Sequence, residues 1–202
     1  YRSLLVALDA LPANPARTHI AIALAKAFEA HLIGLAPTAA LDLQALQAAA
    51  AMDDYAARAS ATLLAQAREI AQRFHERCEA AGLASFEALA DPTPAAESLA
   101  RHAQCTDLLV MSQPDPSLPG HRQQLAELEQ VLLACSRPVL LIPYTHLAPL
   151  HLRRVLLAWD GSRESVRAMT DALPLLRCAG SVALMHWRSE TDEQRPLERL
   201  HG

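Results

Sequence analysis

Two aspartates in this sequence, Asp9 and Asp160, each follow an apolar run and precede a helix-start signal. The runs are residues 4–8 and 155–159, so the chain opens a similar unit twice. A carboxylate at the end of a parallel strand, beside a helix N-terminus, lies where open α/β sheets bind ligands. It can hydrogen-bond the ribose or the base side of a nucleotide, or it can accept bonds from the backbone N–H groups of its own turn.

Small and hydroxyl-bearing residues near the aspartates complete a candidate nucleotide site. Gly161 and Ser162 leave space and hydrogen-bond donors for an anion, although a serine at that position is also a favourable helix N-cap. Ser112 follows the fourth apolar run and can hold a phosphate group together with Ser117, against the repulsion of Asp115. The candidate nucleotide-binding residues are Ala7, Asp9, Ser112, Asp160, Gly161 and Ser162.

The other reactive side chains do not form a recognisable catalytic or metal site. The nine histidines include neither H-x-x-x-H nor H-E-x-x-H, and no G-x-S-x-G or G-x-x-x-x-G-K-[S/T] motif occurs. We therefore predict no metal, no catalytic residues and no enzymatic activity. Scattered cysteines without C-x-x-C spacing predict buried thiols in a reducing compartment, with Cys105 and Cys135 in the core beside strands.

Composition and charge restrict the classes of partner. The 202 residues carry a net charge of −4 and are 51% hydrophobic. This balance suits a globular protein and argues against a binding surface for nucleic acid or anionic membrane. No apolar stretch approaches the roughly 18 residues that span a bilayer, and no signal peptide is visible at the N-terminus. We therefore expect a cytoplasmic protein with neither nucleic-acid nor membrane partners.

Alternating strand and helix signals position the candidate residues. Asn14 is expected to cap the first helix, and Thr93 the third, within a turn at residues 91–94. Pro37 is expected to end the second strand. The alternation predicts βαβ units and a parallel sheet. The predicted strands are 4–8, 31–36, 85–89, 107–111 and 137–143, and the predicted helices are 15–30, 43–81, 94–102 and 124–134.

The doubled opening predicts two unequal units. Residues 1–144 are predicted to form the first domain, followed by a linker at 145–152 and a second unit at 153–202. Within the second unit, the pattern predicts a strand at 153–159, a helix at 163–177 and a strand at 181–187. Only 42 residues follow Asp160, so this unit is expected to be the N-terminal β-α-β portion of an incomplete second copy.

Three stretches together resemble the universal stress protein family. They are Asp107-Leu-Leu-Val-Met111 before a loop, Ser136-Arg-Pro-Val-Leu-Leu-Ile-Pro143 after a helix, and Val155-Leu-Leu-Ala-Trp-Asp-Gly-Ser162. The sequences of these stretches are similar to those of bacterial tandem, two-domain members of the family, and the resemblance implies a truncated second domain in this chain. The fold expected from the resemblance is a five-stranded parallel, doubly wound, Rossmann-like α/β sheet of order 3-2-1-4-5, plus an incomplete second copy.

The resemblance also implies a function. It predicts a non-catalytic regulatory or binding module in a bacterial stress response, with ATP or AMP as the cofactors implied. Members with a nucleotide site carry Gly-x-x-Gly, about nine residues, and then Gly-Ser or Gly-Thr. In this chain Ser112, Asp115 and Leu125-Ala126 stand at those positions, so the adenine-nucleotide site is predicted to be degenerate. Slow ATP hydrolysis and a purely structural dimerisation module are the alternatives.

The last strand of the first domain is the predicted dimer edge. Universal stress domains pair through this strand, which here contains Val139, Leu140, Leu141 and Ile142. Because the second copy stops early, the strand is expected to lack a partner within the chain, and an open apolar edge is normally covered. We therefore expect a homodimer formed through the same strand of another chain, with any other protein partner undefined.

Overall fold

The computed structural model describes residues 1–38, 53–145 and 150–186. The chain divides into two units, Tyr1–Pro149 and Leu150–Gly202. Strands and helices alternate through the first unit, as predicted. Its elements are β1 (Ser3–Ala7), α1 (Asn14–Phe28), β2 (His31–Thr38), α2 (Asp53–Ala80), β3 (Phe86–Pro94), α3 (Ala95–Ala103), β4 (Leu108–Ser112), α4 (His121–Ala134) and β5 (Val139–Ile142).

The five strands of the first unit form one parallel sheet in the order β3-β2-β1-β4-β5, which confirms the predicted topology. Strand β1 lies between β2 and β4, with Leu5 opposite Ile33 on one side and Leu109 on the other. The chain adds β2 and β3 on one side of β1, then β4 and β5 on the other. Right-handed crossovers therefore place α1 and α2 on one face of the sheet and α3 and α4 on the opposite face.

The core lies on both faces of the central strands, which explains why β1 is apolar without alternation. Leu4, Leu5 and Val6 are all fully buried. On the face covered by α3 and α4, Leu5 and Leu109 belong to one buried cluster with Leu99 and Val131.

Gly34 in β2 lies directly under the ring of Phe74 in α2, and a Cβ at this position would overlap the ring. We expect Gly34→Ala to lower the free energy of unfolding by about 1–3 kcal/mol, the usual cost of overpacking a core. Urea denaturation would measure the change. The double variant Gly34→Ala with Phe74→Leu should recover part of the loss, and an unchanged stability in Gly34→Ala would show that the ring is not held there.

Several predicted boundaries were wrong where strands β2 and β3 continue past prolines. Strand β2 does not end at Pro37 but reaches Thr38, whose hydroxyl donates to the carbonyl of Pro92 at 2.8 Å. The predicted turn at residues 91–94 is the end of β3, paired with β2 through a register shift. Pro94 is therefore the N-cap of α3, and Thr93 does not cap it.

Helix α1 begins one residue earlier than predicted, so Asn14 is not its cap. The N-cap is Ala13, without a side-chain hydrogen bond. The Asn14 side chain instead accepts hydrogen bonds from Arg17 and Thr18 within the first turn. The side-chain oxygen of Asn14 is thereby bonded to neighbouring side chains, so it does not cap the free backbone N–H groups at the start of the helix.

Helix α2 ends at Ala80, one residue before its predicted end. Gly82 has a φ of 63°, and the N–H groups of Gly82 and Leu83 donate to the carbonyls of Glu79 and Cys78 at 2.8 and 3.0 Å. This pair of bonds is a Schellman motif, which favours glycine at the left-handed position. The predicted start of this helix, residues 43–52, lies outside the described residues.

The prediction of buried cysteines is correct only for Cys78. That thiol is buried against the sheet, and burial raises its pKa to about 11. Cys105 and Cys178 are exposed, and Cys135 is half-buried. Cys105 lies in the turn between α3 and β4 rather than on a buried face, which explains its exposure.

The second unit consists of β6 (Arg154–Trp159), α5 (Arg163–Arg177) and β7 (Ser181–His186). The two strands are parallel neighbours, with Val155 opposite Val182. Helix α5 matches the predicted bounds, and Trp187, predicted to end the last strand, lies outside the described residues. Within the described part of the chain, no helix is both long and apolar enough to cross a membrane.

Candidate functional site

The candidate residues of the first unit meet where the sheet changes its direction of growth. Ala7 and Ser112 are the last residues of the neighbouring strands β1 and β4, and Asp9 follows β1 by two residues. Ligands of open α/β sheets bind at this switch point, outside the carboxyl ends of the strands. A pocket of about 480 Å³ opens here and is lined by all three residues. Its size falls within the range of small-molecule sites.

Arg17, in the first turns of α1, joins the candidate residues to one another. Its Nη2 lies 2.7 Å from Oδ2 of Asp9, and its Nη1 donates to the hydroxyl of Ser112 at 2.8 Å. The arginine is only 2% exposed, although it also lines the pocket. Asp9 accepts a second bond from the backbone N–H of Leu11 at 2.9 Å. The guanidinium therefore fixes the ends of β1 and β4 against each other.

Arg17 was not among the predicted site residues, because it lies in a helix and not at the end of a strand. A signal was present, however: Arg17 precedes Ile20 by three positions on the stripe that continues to Leu24, both of which are buried. A charged residue on the buried face of an amphipathic helix requires a charged partner. Asp9, eight positions earlier, is that partner.

Two further acids, Glu127 and Asp115, line the pocket. Their surroundings shift their pKa values in opposite directions. Burial raises the pKa of Glu127 on α4, and the nearby charge of Asp9 raises it further. Hydrogen bonds from the side chain and the backbone N–H of Ser117, at 2.7 and 2.8 Å, lower the pKa of Asp115. Asp115 is therefore held in its charged form.

The segment between β4 and α4 is not built like a phosphate-binding loop. Its only glycine, Gly120, has a φ of 78° and serves as the N-cap of α4. The Ser112 hydroxyl is already bound by Arg17, and Asp115 brings a negative charge to the pocket. Phosphate sites at helix N-termini depend on free backbone N–H groups and positive potential, and neither the engaged Ser112 hydroxyl nor the charge of Asp115 adds to these.

The remaining walls of the pocket are mainly apolar or amide-bearing. Besides the charged residues and Ser112, they include Leu63, Ile70, Leu99, Met111, Leu128, Gln66, Gln123, Gln124 and Tyr144. An apolar body with few polar groups suits such a surface better than a highly charged one.

The candidate residues of the second unit form a self-contained turn. Oδ1 of Asp160 accepts the N–H of Ser162 at 2.9 Å, and hydrogen bonds from Ser162 and Ser165 lower the pKa of Asp160 to about 2. Gly161 has a φ of 78°, which explains the glycine in this turn. Ser162 is the N-cap of α5, as its alternative role predicted, and accepts the N–H of Ser165 at 3.0 Å.

Ser162→Ala should remove the side-chain hydrogen bond that caps the N-terminus of α5. We expect a loss of about 1 kcal/mol in the stability of this unit, measured as an earlier loss of helical signal in urea. Ser162→Asp keeps an acceptor at the cap and is expected to retain the stability. Equal effects of the two variants would contradict the capping role.

The predicted dimer-edge residues Val139, Leu140, Leu141 and Ile142 form β5, which is an edge of the five-stranded sheet. Ile142 is buried, whereas Leu141 is 36% exposed. The described residues contain no cluster of three or more metal-ligating side chains.

No protein-family model matches this chain, and no curated protein matches it by sequence. Solved structures of similar fold belong to the universal stress protein family. One from Archaeoglobus fulgidus DSM 4304 has a TM-score of 0.62 at 19% identity, over 95% of this chain and 68% of that one. A family member from Burkholderia pseudomallei has a TM-score of 0.52 at 22% identity, over 71% and 96%. Another from Lactobacillus plantarum has a TM-score of 0.52 at 18% identity, over 70% and 97%. The likeness is one of fold.

Proposed function

We propose that this chain is a universal stress protein-like, non-catalytic binding module of a cytoplasmic stress response, with a degenerate adenine-nucleotide site. The observation that carries the proposal is the pocket beside Ala7, Asp9 and Ser112 at the switch point of the sheet. The fold shared with universal stress proteins supports the family assignment. The doubled strand, aspartate and helix opening supports a tandem arrangement.

The nucleoside part of a ligand fits this pocket better than its phosphates do. Asp9 offers carboxylate acceptors at the carboxyl edge, and apolar walls surround it. The phosphate end would meet Asp115 and a serine whose hydroxyl Arg17 already occupies. In the second unit Asp160, Gly161 and Ser162 form only the opening of a comparable site, and their polar groups are engaged in the turn.

Amide chemical-shift mapping with AMP tests the location of the site. We expect small shifts confined to the residues after β1 and β4, around Asp9 and Ser112, with saturation only above roughly 100 μM, about −5.5 kcal/mol. Asp9→Asn, which removes the carboxylate but keeps its size, should weaken these shifts. Shifts centred elsewhere, or none at millimolar AMP, would refute a nucleotide-type site in this pocket.

Slow ATP hydrolysis is the rival activity, and phosphate release separates it from binding. We expect no phosphate release above that of the buffer, because the described residues contain no cluster of three or more metal-ligating side chains that could hold a metal ion for the phosphates. Turnover that is lost in Asp9→Asn would favour the enzyme instead.

We also propose that β5 forms a dimer edge, since it ends the sheet and Leu141 is partly exposed. Light scattering at micromolar concentration should give the mass of a dimer, and Leu141→Lys should reduce it to that of a monomer. Leu133→Lys is the matched control, because Leu133 on α4 is already 89% exposed. A strictly monomeric mass for the native chain would contradict this proposal.

A further inference from the structure

The charges of the pocket are unbalanced towards the negative. Three carboxylates, those of Asp9, Asp115 and Glu127, line it together with the single guanidinium of Arg17. The described lining contains no other arginine and no lysine. The lining remains negative even when Glu127, whose pKa burial raises, is protonated.

The single cation is already committed to the protein. Arg17 is ion-paired to Asp9 and bonded to Ser112 and Asn14, so its charge is largely offset where a ligand would meet it. An anion entering the pocket would therefore face Asp115 and Glu127 without a free positive group among the described lining residues.

Two of the lining residues each carry a buried polar atom that has no hydrogen-bond partner within the described part of the chain. These atoms are Nε of Arg17, a donor in a side chain that is 97% buried, and Oε1 of Gln124, an acceptor. Buried polar atoms are rarely left unpaired. Both residues line the pocket, so a ligand hydroxyl would find one donor and one acceptor to pair with if these side chains turned towards it.

We propose that this pocket selects an uncharged or cationic ligand with an apolar body and a hydroxyl or amine head group, and that it discriminates against anions. The inference rests on the proposed function, because it names the ligand class of the same site. The apolar body packs against Leu99, Met111 and Leu128, and the head group lies towards the acids and Arg17.

A series of probes with one ring system and different charges tests the selection. Tryptamine is cationic, tryptophol is neutral and indole-3-acetate is anionic, and all three carry the same indole body. Titrated into the full chain at low ionic strength, tryptamine and tryptophol should bind about fivefold more tightly than indole-3-acetate, or better, as expected for a charge near unpaired carboxylates. Fast-exchange amide shifts would provide both the dissociation constants and the location of binding.

Replacing the acids of the pocket by amides should remove the preference for cationic and neutral probes over the anionic one. Glu127→Gln and Asp115→Asn, separately and together, are expected to narrow the ratio of dissociation constants between indole-3-acetate and tryptamine. Glu129→Gln is the matched control: Glu129 is on the same helix, exposed, and absent from the pocket lining. The control should keep the ratio of the native chain.

Several outcomes would overturn the inference. They are equal or tighter binding of indole-3-acetate, a ratio that survives in the double variant, and no binding of any probe at millimolar concentration. Tighter binding of indole-3-acetate with AMP still weaker than about 100 μM would overturn this inference and leave the proposed function standing. AMP shifts centred outside the pocket would instead remove the proposed function.

Discussion

Replacing Asp91 by alanine should lower the free energy of unfolding of the first unit by about 3 kcal/mol. The side chain is 9% exposed, and Oδ2 accepts hydrogen bonds from the Ser98 hydroxyl and from Nη2 of Arg101, each at 2.6 Å. Oδ1 accepts the N–H of Thr93 at 2.9 Å. Hydrogen bonds to a charged acceptor contribute about 1.5–3 kcal/mol each, and Ser98 would be left buried without its partner. Because Arg101 is half-exposed, water would solvate its guanidinium in the variant. The loss in the free energy of unfolding is therefore smaller than that for breaking a fully buried ion pair.

Acid titration gives this prediction a second readout. Burial of Asp91 favours its protonated form, but the bonds from Ser98, Thr93 and Arg101 outweigh it and hold the pKa well below its usual range. The stability from this carboxylate is therefore complete above the unfolded-state pKa of about 4. It is lost as the pH falls below that value towards the folded-state pKa.

Urea denaturation between pH 2 and 7 would measure both effects. Asp91→Asn should destabilise less than alanine and should flatten the loss of stability below pH 4. Glu87→Gln, on the same strand but exposed, is the control and should change stability by less than about 0.5 kcal/mol. A native-like stability of Asp91→Ala would contradict the contacts described for this residue.

Replacing Arg17 by methionine should cost the first unit about 2–3 kcal/mol. The variant keeps the apolar length of the side chain but leaves Asp9 and Ser112 without the guanidinium that joins them. Breaking a buried ion pair costs about 3–5 kcal/mol. Because the Asp9 side chain is 35% exposed, water solvates it in the variant, and the expected loss of stability lies at or below the lower limit of that range.

A double-mutant cycle separates the ion pair from general packing. Arg17→Met with Asp9→Asn should recover part of the loss, since the uncompensated charge is then absent. Arg17→Lys should be intermediate, because an ammonium does not form the same forked contacts. Arg73→Met on α2, whose side chain is 55% exposed beside Glu69, is the control and should have little effect. Additive effects of the Arg17 and Asp9 substitutions would contradict the contact.

Much of the fold could be predicted from the sequence because it depends on local patterns. The continuous apolar runs of β1 and β4 indicate strands covered on both faces, and the crossover rule then restricts the sheet order. Asp9 and Ser112 could be placed near one another for the same reason, since Asp9 follows β1 and Ser112 ends β4, the two strands that flank the switch point.

The missed features depend on contacts between distant parts of the chain. Arg17 reaches Ser112 across 95 positions, and no local pattern announces that partner. Strands β2 and β3 continue past Pro37 and Pro92 because they pair with each other, which overrides the breaking tendency of proline. Asp91 looked like a turn residue, whereas Ser98 and Arg101 of the following helix make it a buried acceptor.

Calorimetric titration of ATP into the full chain at low ionic strength tests the central claim most directly: that the pocket at the carboxyl edge has lost its phosphate site. Low salt strengthens any favourable attraction between protein and phosphate, so the condition favours binding if it exists. With Asp115 and Glu127 in the lining and Arg17 already paired, we predict no saturable binding tighter than about 100 μM. A one-to-one isotherm with a lower dissociation constant, abolished by Asp9→Asn, would contradict the account.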